Sequence, residues 1–175
     1  MPCGFHLADQ GWHIWIANDS GILGTQDHKE GLMVKWLMCG AEMVGGKGAV
    51  AILILRLVAG LAFIQHGWPK IQHAFNWMGP EATVPGFLQA LAALSEFGGG
   101  IALVLGLLTR LAALGIACTM LFAIFMVHVP KGDPFVGRGG SSYELAAVYL
   151  AIMVVLLLRG AGQMSLDAQI CRKKR

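Results

Sequence analysis

The sequence predicts an all-α membrane protein, a bundle of four transmembrane helices with both termini in the cytoplasm. Three observations lead there. Hydrophobic residues make up 56% of the chain and charged residues only 13%, roughly half the charged share of an ordinary soluble domain. Four apolar runs follow one another from Gly48 onward. The basic residues gather on one side of those runs.

The first run, Gly48 to Gly67, is interrupted by Arg56. Pro69 lacks an N–H and disfavours helical geometry at Trp68, so it predicts an end or a kink there. In the following loop, 68–86, the stretch Ile71 to Met78 predicts a short interfacial helix with Trp77 at headgroup depth. The second run, Phe87 to Leu108, contains Glu96. The third, Leu111 to Val129, is apolar until His128. Only Thr109 and Arg110 separate these two, which predicts an antiparallel hairpin with Arg110 at the water boundary. A single helix from Phe87 to Val129 would be about twice the bilayer core. A loop rich in glycine and proline, with Pro130, Pro134, Gly139 and Gly140, leads to the fourth run, Tyr143 to Leu158.

Residues 1–46 differ from the rest: His6, His13, His28, Trp12 and Trp15 are scattered among acids and glycines, with no spanning run and no signal-peptide order. They predict a poorly ordered or interfacial extension, with Met33 and Met43 as candidate alternative starts. The helical domain is expected over 47–168, followed by a basic tail over 169–175. Lys35, Lys47, Arg110, Arg159 and the closing Arg172–Lys173–Lys174–Arg175 fall on one side. Lys70, Lys131 and Arg138 fall on the other. The excess of basic residues on inner loops puts both termini in the cytoplasm. The net charge of +3, concentrated in the tail, is a topology signal, and nucleic acid is not an expected partner. Cys3, Cys39, Cys118 and Cys171 form no CxxC or zinc spacing, so no disulfide framework is implied, and Cys118 is expected to be buried.

Ionisable groups inside a bilayer are costly unless paired or wetted, and they mark function or helix locking. Arg56 and Glu96, counted from opposite ends of their runs, come to similar depths. They are expected to form an intramembrane ion pair beside the small residues Ala92, Ala93, Gly99 and Gly100. A second polar group is expected at the outer face: His66, Lys70, His128, Tyr143 and Glu144 as ligand or proton-relay candidates, suited to proton transfer or to a quinone head group. The plain alternative is a set of boundary residues reaching interfacial water. Two histidines and a glutamate on separate helices fix no metal spacing, and no metal is expected. Gly98–Gly100 follows no strand and precedes no GK[ST], so it is a close-packing feature and not a phosphate loop.

The first run reads LRLVAGLAFIQHGWPKI and the second SEFGGGIALVLGLLTR, FMVH closes the third, and YEL opens the fourth, which ends in Gly160, Gly162, Ser165, Leu166 and Asp167. Together these four segments resemble the DoxX family of small bacterial membrane proteins. The resemblance covers about residues 50–168. It implies a multi-pass protein of the bacterial inner membrane. It also implies a link to thiosulfate:quinone oxidoreduction or to membrane complexes handling thiol and oxidative stress. No catalytic residue carries over, and whether the chain is itself an enzyme stays open. With no dinucleotide fingerprint or CxxCH haem site, the expected role is an accessory or quinone-interacting subunit with no tightly bound cofactor. Its expected partners are the lipid bilayer and an oxidoreductase subunit or a second copy of itself. The alternative is a non-catalytic scaffold or assembly factor. A small transporter is the weaker third reading, since no inverted repeat is evident.

Overall fold

In a computed structural model describing residues 45–173, the chain builds five helices. They are α1 (Gly46–Gln72), α2 (Gly86–Leu105), α3 (Thr109–Phe122, continued by a π-helical segment Ala123–His128), α4 (Glu144–Arg159) and the short α5 (Leu166–Lys173). The expectations for residues 1–44 and 174–175 lie outside the described residues. The four apolar runs coincide with α1 to α4. Three of these, Gly46–Gln72, Gly86–Leu105 and Thr109–His128, are long and apolar enough to cross a membrane. α4 has 16 residues, about 24 Å at the usual rise.

The surface is inverted relative to a water-soluble protein. Val58, Leu61, Leu91, Leu94, Phe125 and Leu158 are exposed, whereas Arg56, Glu96, Thr109, Arg110 and Asp167 are buried. Water would favour the opposite arrangement, and lipid favours this one. The interior is built from Ala59, Phe63, Leu103, Ala113, Ile116, Met153 and Leu156.

Small residues set the register of α1 against α2. Gly100 lies so close to α1 that a Cβ there would fall 2.8 Å from Gly60 O and Ile64 N, and one on Gly67 would fall 2.5 Å from Phe97 N. Gly99 faces the other way, toward Ile116 of α3. The glycine run therefore packs α2 against both neighbours. Gly67→Ala is expected to destabilise by about 1–3 kcal/mol, because the atoms it meets are backbone and cannot yield. Gly98→Ala meets only the end of Leu94, at 3.3 Å, and is expected to be neutral. Thermal unfolding midpoints in detergent check both.

α1 does not end at Pro69 but runs to Gln72. A proline inside a membrane helix is tolerated when neighbours hold the turn. Here Trp68 stacks on Phe97, with ring centroids 5.6 Å apart, and Lys70 pairs with Glu96. The interfacial helix expected over 71–78 is absent. Residues 73–78 form successive turns, with His73 N donating to Lys70 O and Asn76 N to His73 O. These turns fold back along α2, where Trp77 Nε1 donates to Gln89 O (2.9 Å) and Met78 N to Gln89 Oε1 (3.1 Å).

The α2–α3 hairpin is tight. Gly106, at φ 68, closes α2, and Leu107 N reaches back to Ala102 O, the wrap that favours glycine at this position. Leu108 follows at φ 50, the one non-glycine residue with positive φ among the described residues. Arg110, in the first turn of α3 beside the hairpin, is buried within the bundle. Its Nη2 donates to Leu158 O at 3.4 Å, toward the carbonyl end of α4, where a cation is favoured. Gly45 packs on Gln163, so the start of α1 and the segment leading into α5 share one end of the bundle. Cys118 is an exposed free thiol, since its face of α3 turns outward. Cys171 is disulfide-bonded, a bridge that the cysteine spacing does not imply.

Candidate functional site

The expected Arg56–Glu96 pair does not form. The two side chains lie at different levels, because the glycine contacts set Gly67 opposite Phe97 and Gly60 opposite Gly100. Arg56 is therefore level with the α2–α3 turn, and Lys70, about 21 Å farther along α1, is level with Glu96. The two runs do not start at matching depths, so counting from their ends misplaces the register.

Lys70 Nζ donates to both oxygens of Glu96, at 2.7 and 2.6 Å. The carboxylate side chain is only 4% exposed and the lysine 26%. The lysine also sits 4.6 Å from the centre of the Trp77 ring, where the negative face of the indole attracts a cation. Glu96 lies about 15 Å from the start of α2, near the middle of a helix as long as the bilayer core is thick. A charge at that depth requires a partner, and the carboxylate is satisfied while one side of the ammonium stays reachable. His66, one turn before Lys70 on α1, faces Tyr149 of α4 edge-on at 6.4 Å between centroids.

Arg56 closes the opposite end. Its guanidinium donates to Ala161 O (2.6 Å) and Met164 O (3.2 Å), tying α1 to the segment after α4. Asp167 completes this junction: its carboxylate accepts from Leu108 N (2.8 Å) and Thr109 N (3.0 Å), and its own N–H donates to Gly106 O (2.9 Å). It satisfies the open amides at the start of α3 and favours the positive helix end.

The expected outer cluster of His66, Lys70, His128, Tyr143 and Glu144 is not a single site. Lys70 pairs with Glu96, whereas His66 packs against Phe63 and Tyr149. His128 Nδ1 instead pairs with Asp133 Oδ2 at 2.8 Å, and Ser141 Oγ donates to the same oxygen at 2.8 Å. Tyr143 packs on Phe135 (5.4 Å), and Glu144 is exposed in the first turn of α4. Asp133 bonds His128 from five residues on, and Tyr143 N donates to Pro134 O of the same loop. Tyr149, Trp77, Asp133 and Asp167 were not legible as site residues. For Asp167 a signal existed in its place after Ser165–Leu166, and for Asp133 in a carboxylate following His128 in a glycine-rich loop.

The hydrogen bonds from His128 and then Ser141 hold the Asp133 carboxyl below its ordinary range. A depressed carboxyl stabilises the fold above the usual carboxylate pKa and loses that contribution as pH falls through its lowered value. Acidification is thus expected to release the 129–143 loop, and Asp133→Asn to remove the acid dependence. Protease sensitivity of that loop against pH checks it.

Comparison with known proteins decides the family. The DoxX family model matches residues 51–129. The inner membrane protein YqjF of Escherichia coli is 40% identical over 126 residues, covering 71% of this chain and 95% of that protein. The chain belongs to the DoxX family. An uncharacterised Haemophilus influenzae protein is 33% identical over 126 residues, covering 70% of this chain and 92% of its own. CatD of Bacillus subtilis, provisionally assigned as an oxidoreductase, is 29% identical over 134 residues, covering 72% of this chain and 91% of its own. No solved structure matches. The DoxX match and the YqjF likeness, with three apolar helices, make this a multi-pass inner-membrane protein. The DoxX segments meet in space: the in-membrane arginine and the closing Ser–Leu–Asp converge on the turn before Thr109–Arg110.

Proposed function

We propose that this DoxX protein is a quinone-interacting accessory subunit of a bacterial membrane oxidoreductase system. It would cross the bilayer four times with both termini in the cytoplasm, the short α4 being the fourth span, and would stand beside a partner oxidoreductase subunit or a second copy. The observation that carries the reading is the pair between Lys70, in the last turn of α1, and Glu96, midway along α2, with Trp77 against the ammonium. A quinone carbonyl accepts hydrogen bonds, and Lys70 retains donor capacity toward its open side. The apolar ring and tail would lie in lipid or against Trp77 and the His66–Tyr149 pair. The likeness to CatD supports the oxidoreductase link.

Binding of a short-chain benzoquinone to protein in lipid nanodiscs, read by Trp quenching, tests the proposal. Affinity is expected to fall about tenfold or more in Lys70→Met/Glu96→Leu, whose apolar pair keeps the bundle packed. It is expected to weaken in His66→Ala and to stay unchanged in Glu144→Gln. Equal affinity in the wild type and the double variant would leave the pair a helix lock and favour the scaffold reading, which the closed geometry of the bonded pair also suits.

A further inference from the structure

The π-helical end of α3 and the loop after it hold a second polar group, apart from Lys70 and Glu96. α3 widens into a π-helical segment over Ala123–His128, with Val129 N bonding to Ile124 O. Such segments are rare and frequently occur where a side chain is presented for function. This one delivers His128 to the loop, where Asp133 N donates back to His128 O (3.1 Å). Asp133 Oδ2 then meets both His128 Nδ1 and Ser141 Oγ, each at 2.8 Å.

The chemistry of the three groups fixes the ring. An ionised carboxylate only accepts hydrogen bonds, so the proton on the neutral imidazole must reside on Nδ1. Ser141 supplies a second donor to the same oxygen and keeps the carboxylate charged. The other nitrogen, Nε2, has no hydrogen-bond partner among the described residues, and the side chain is 22% exposed. An oriented ring nitrogen therefore presents its lone pair at the end of the bundle away from α5. Lys131 is the further charged group acting on Asp133. Phe135, exposed and paired with Tyr143, lies in the same loop as the exposed Lys131 and Arg138, and Phe125, Met126 and Val129 are exposed on the adjoining turns of α3.

We propose that His128, oriented by Asp133 and Ser141, is a hydrogen-bond and proton acceptor for a hydroxylated aromatic ring at the membrane surface. A phenol or quinol hydroxyl donates to Nε2, and on full transfer the proton resides there as imidazolium, with the aryloxide left as its counter-ion. The acceptor lone pair calls for a hydroxyl donor, and the exposed Phe135 and Phe125 favour one borne on an aromatic ring. The quinone reading above motivates only the choice of probe.

Nitrogen-15 histidine spectra of the protein in nanodiscs, titrated with a short-chain benzoquinol, test this. Expected are the Nδ1–H form of His128 in the wild type, its loss in Asp133→Asn, and a benzoquinol-dependent shift of Nε2. Affinity is expected to be about tenfold weaker in Asp133→Asn. An Nε2–H form in the wild type overturns the proposal. So does benzoquinol that quenches Trp77 without moving His128. A His128 shift without Trp77 quenching supports this site and counts against the Lys70 site, and no response at either overturns both.

Discussion

Lys70→Ala is expected to destabilise the protein by about 3–5 kcal/mol, because removing one partner of a buried pair leaves the other charge unpaired. The penalty falls on Glu96, which is 4% accessible and lies near the middle of α2. Water cannot reach it there as it would on a soluble surface, so the carboxyl must either take up a proton or drag the helix. Glu96→Gln is expected to cost less, since the lysine is 26% exposed and its flexible stem can carry the ammonium toward the interface. Replacing both by Met and Leu is expected to restore most of the lost stability. The unfolding midpoints of wild type and the three variants in one detergent check the ranking. A Lys70→Ala protein as stable as the wild type would mean that the pair does not form in the membrane.

Asp167→Ala is the second large effect, expected at about 1.5–3 kcal/mol from the loss of hydrogen bonds to a charged acceptor. Leu108 N and Thr109 N would lose their partner at the first turn of α3. Leu108 is also held at φ 50, a conformation that costs a non-glycine residue about 1–3 kcal/mol and persists only while its surroundings hold it. Asp167→Asn is expected to fall between, since its amide oxygen can still accept one bond without the charge. Hydrogen exchange at Leu108 and Thr109 should rise in Asp167→Ala while the Lys70 region is unaffected. Unchanged exchange at both amides would contradict the role assigned to the carboxylate.

Hydropathy alone made the four helices legible, because lipid demands apolar runs of near-constant length and each run became a helix within a few residues of its expected bounds. Pairing was less legible. Depth counted from the end of a run assumes that each run begins at the membrane surface. α1 extends past the α2–α3 turn at one end and stops near mid-depth of α2 at the other. Glu96 was recognisable as a residue needing a partner, whereas the choice of Lys70 over Arg56 depended on Gly60, Gly67 and Gly100 fixing the slide between helices. Pro69 stops α1 only three residues on, at Gln72, where Trp68 and Lys70 make contacts that no sequence window contains. The partner that His128 takes, Asp133 of the following loop, is a tertiary outcome of turn geometry.

The central claim is that Glu96 answers to Lys70 and not to Arg56. Two double-mutant cycles in nanodiscs, Lys70/Glu96 and Arg56/Glu96, measure it. The structure predicts a coupling within about 0.5–3 kcal/mol for the first and additivity within about 0.5 kcal/mol for the second. A strong coupling of Glu96 to Arg56 with none to Lys70 would contradict the register of α1 against α2, and with it the proposed site.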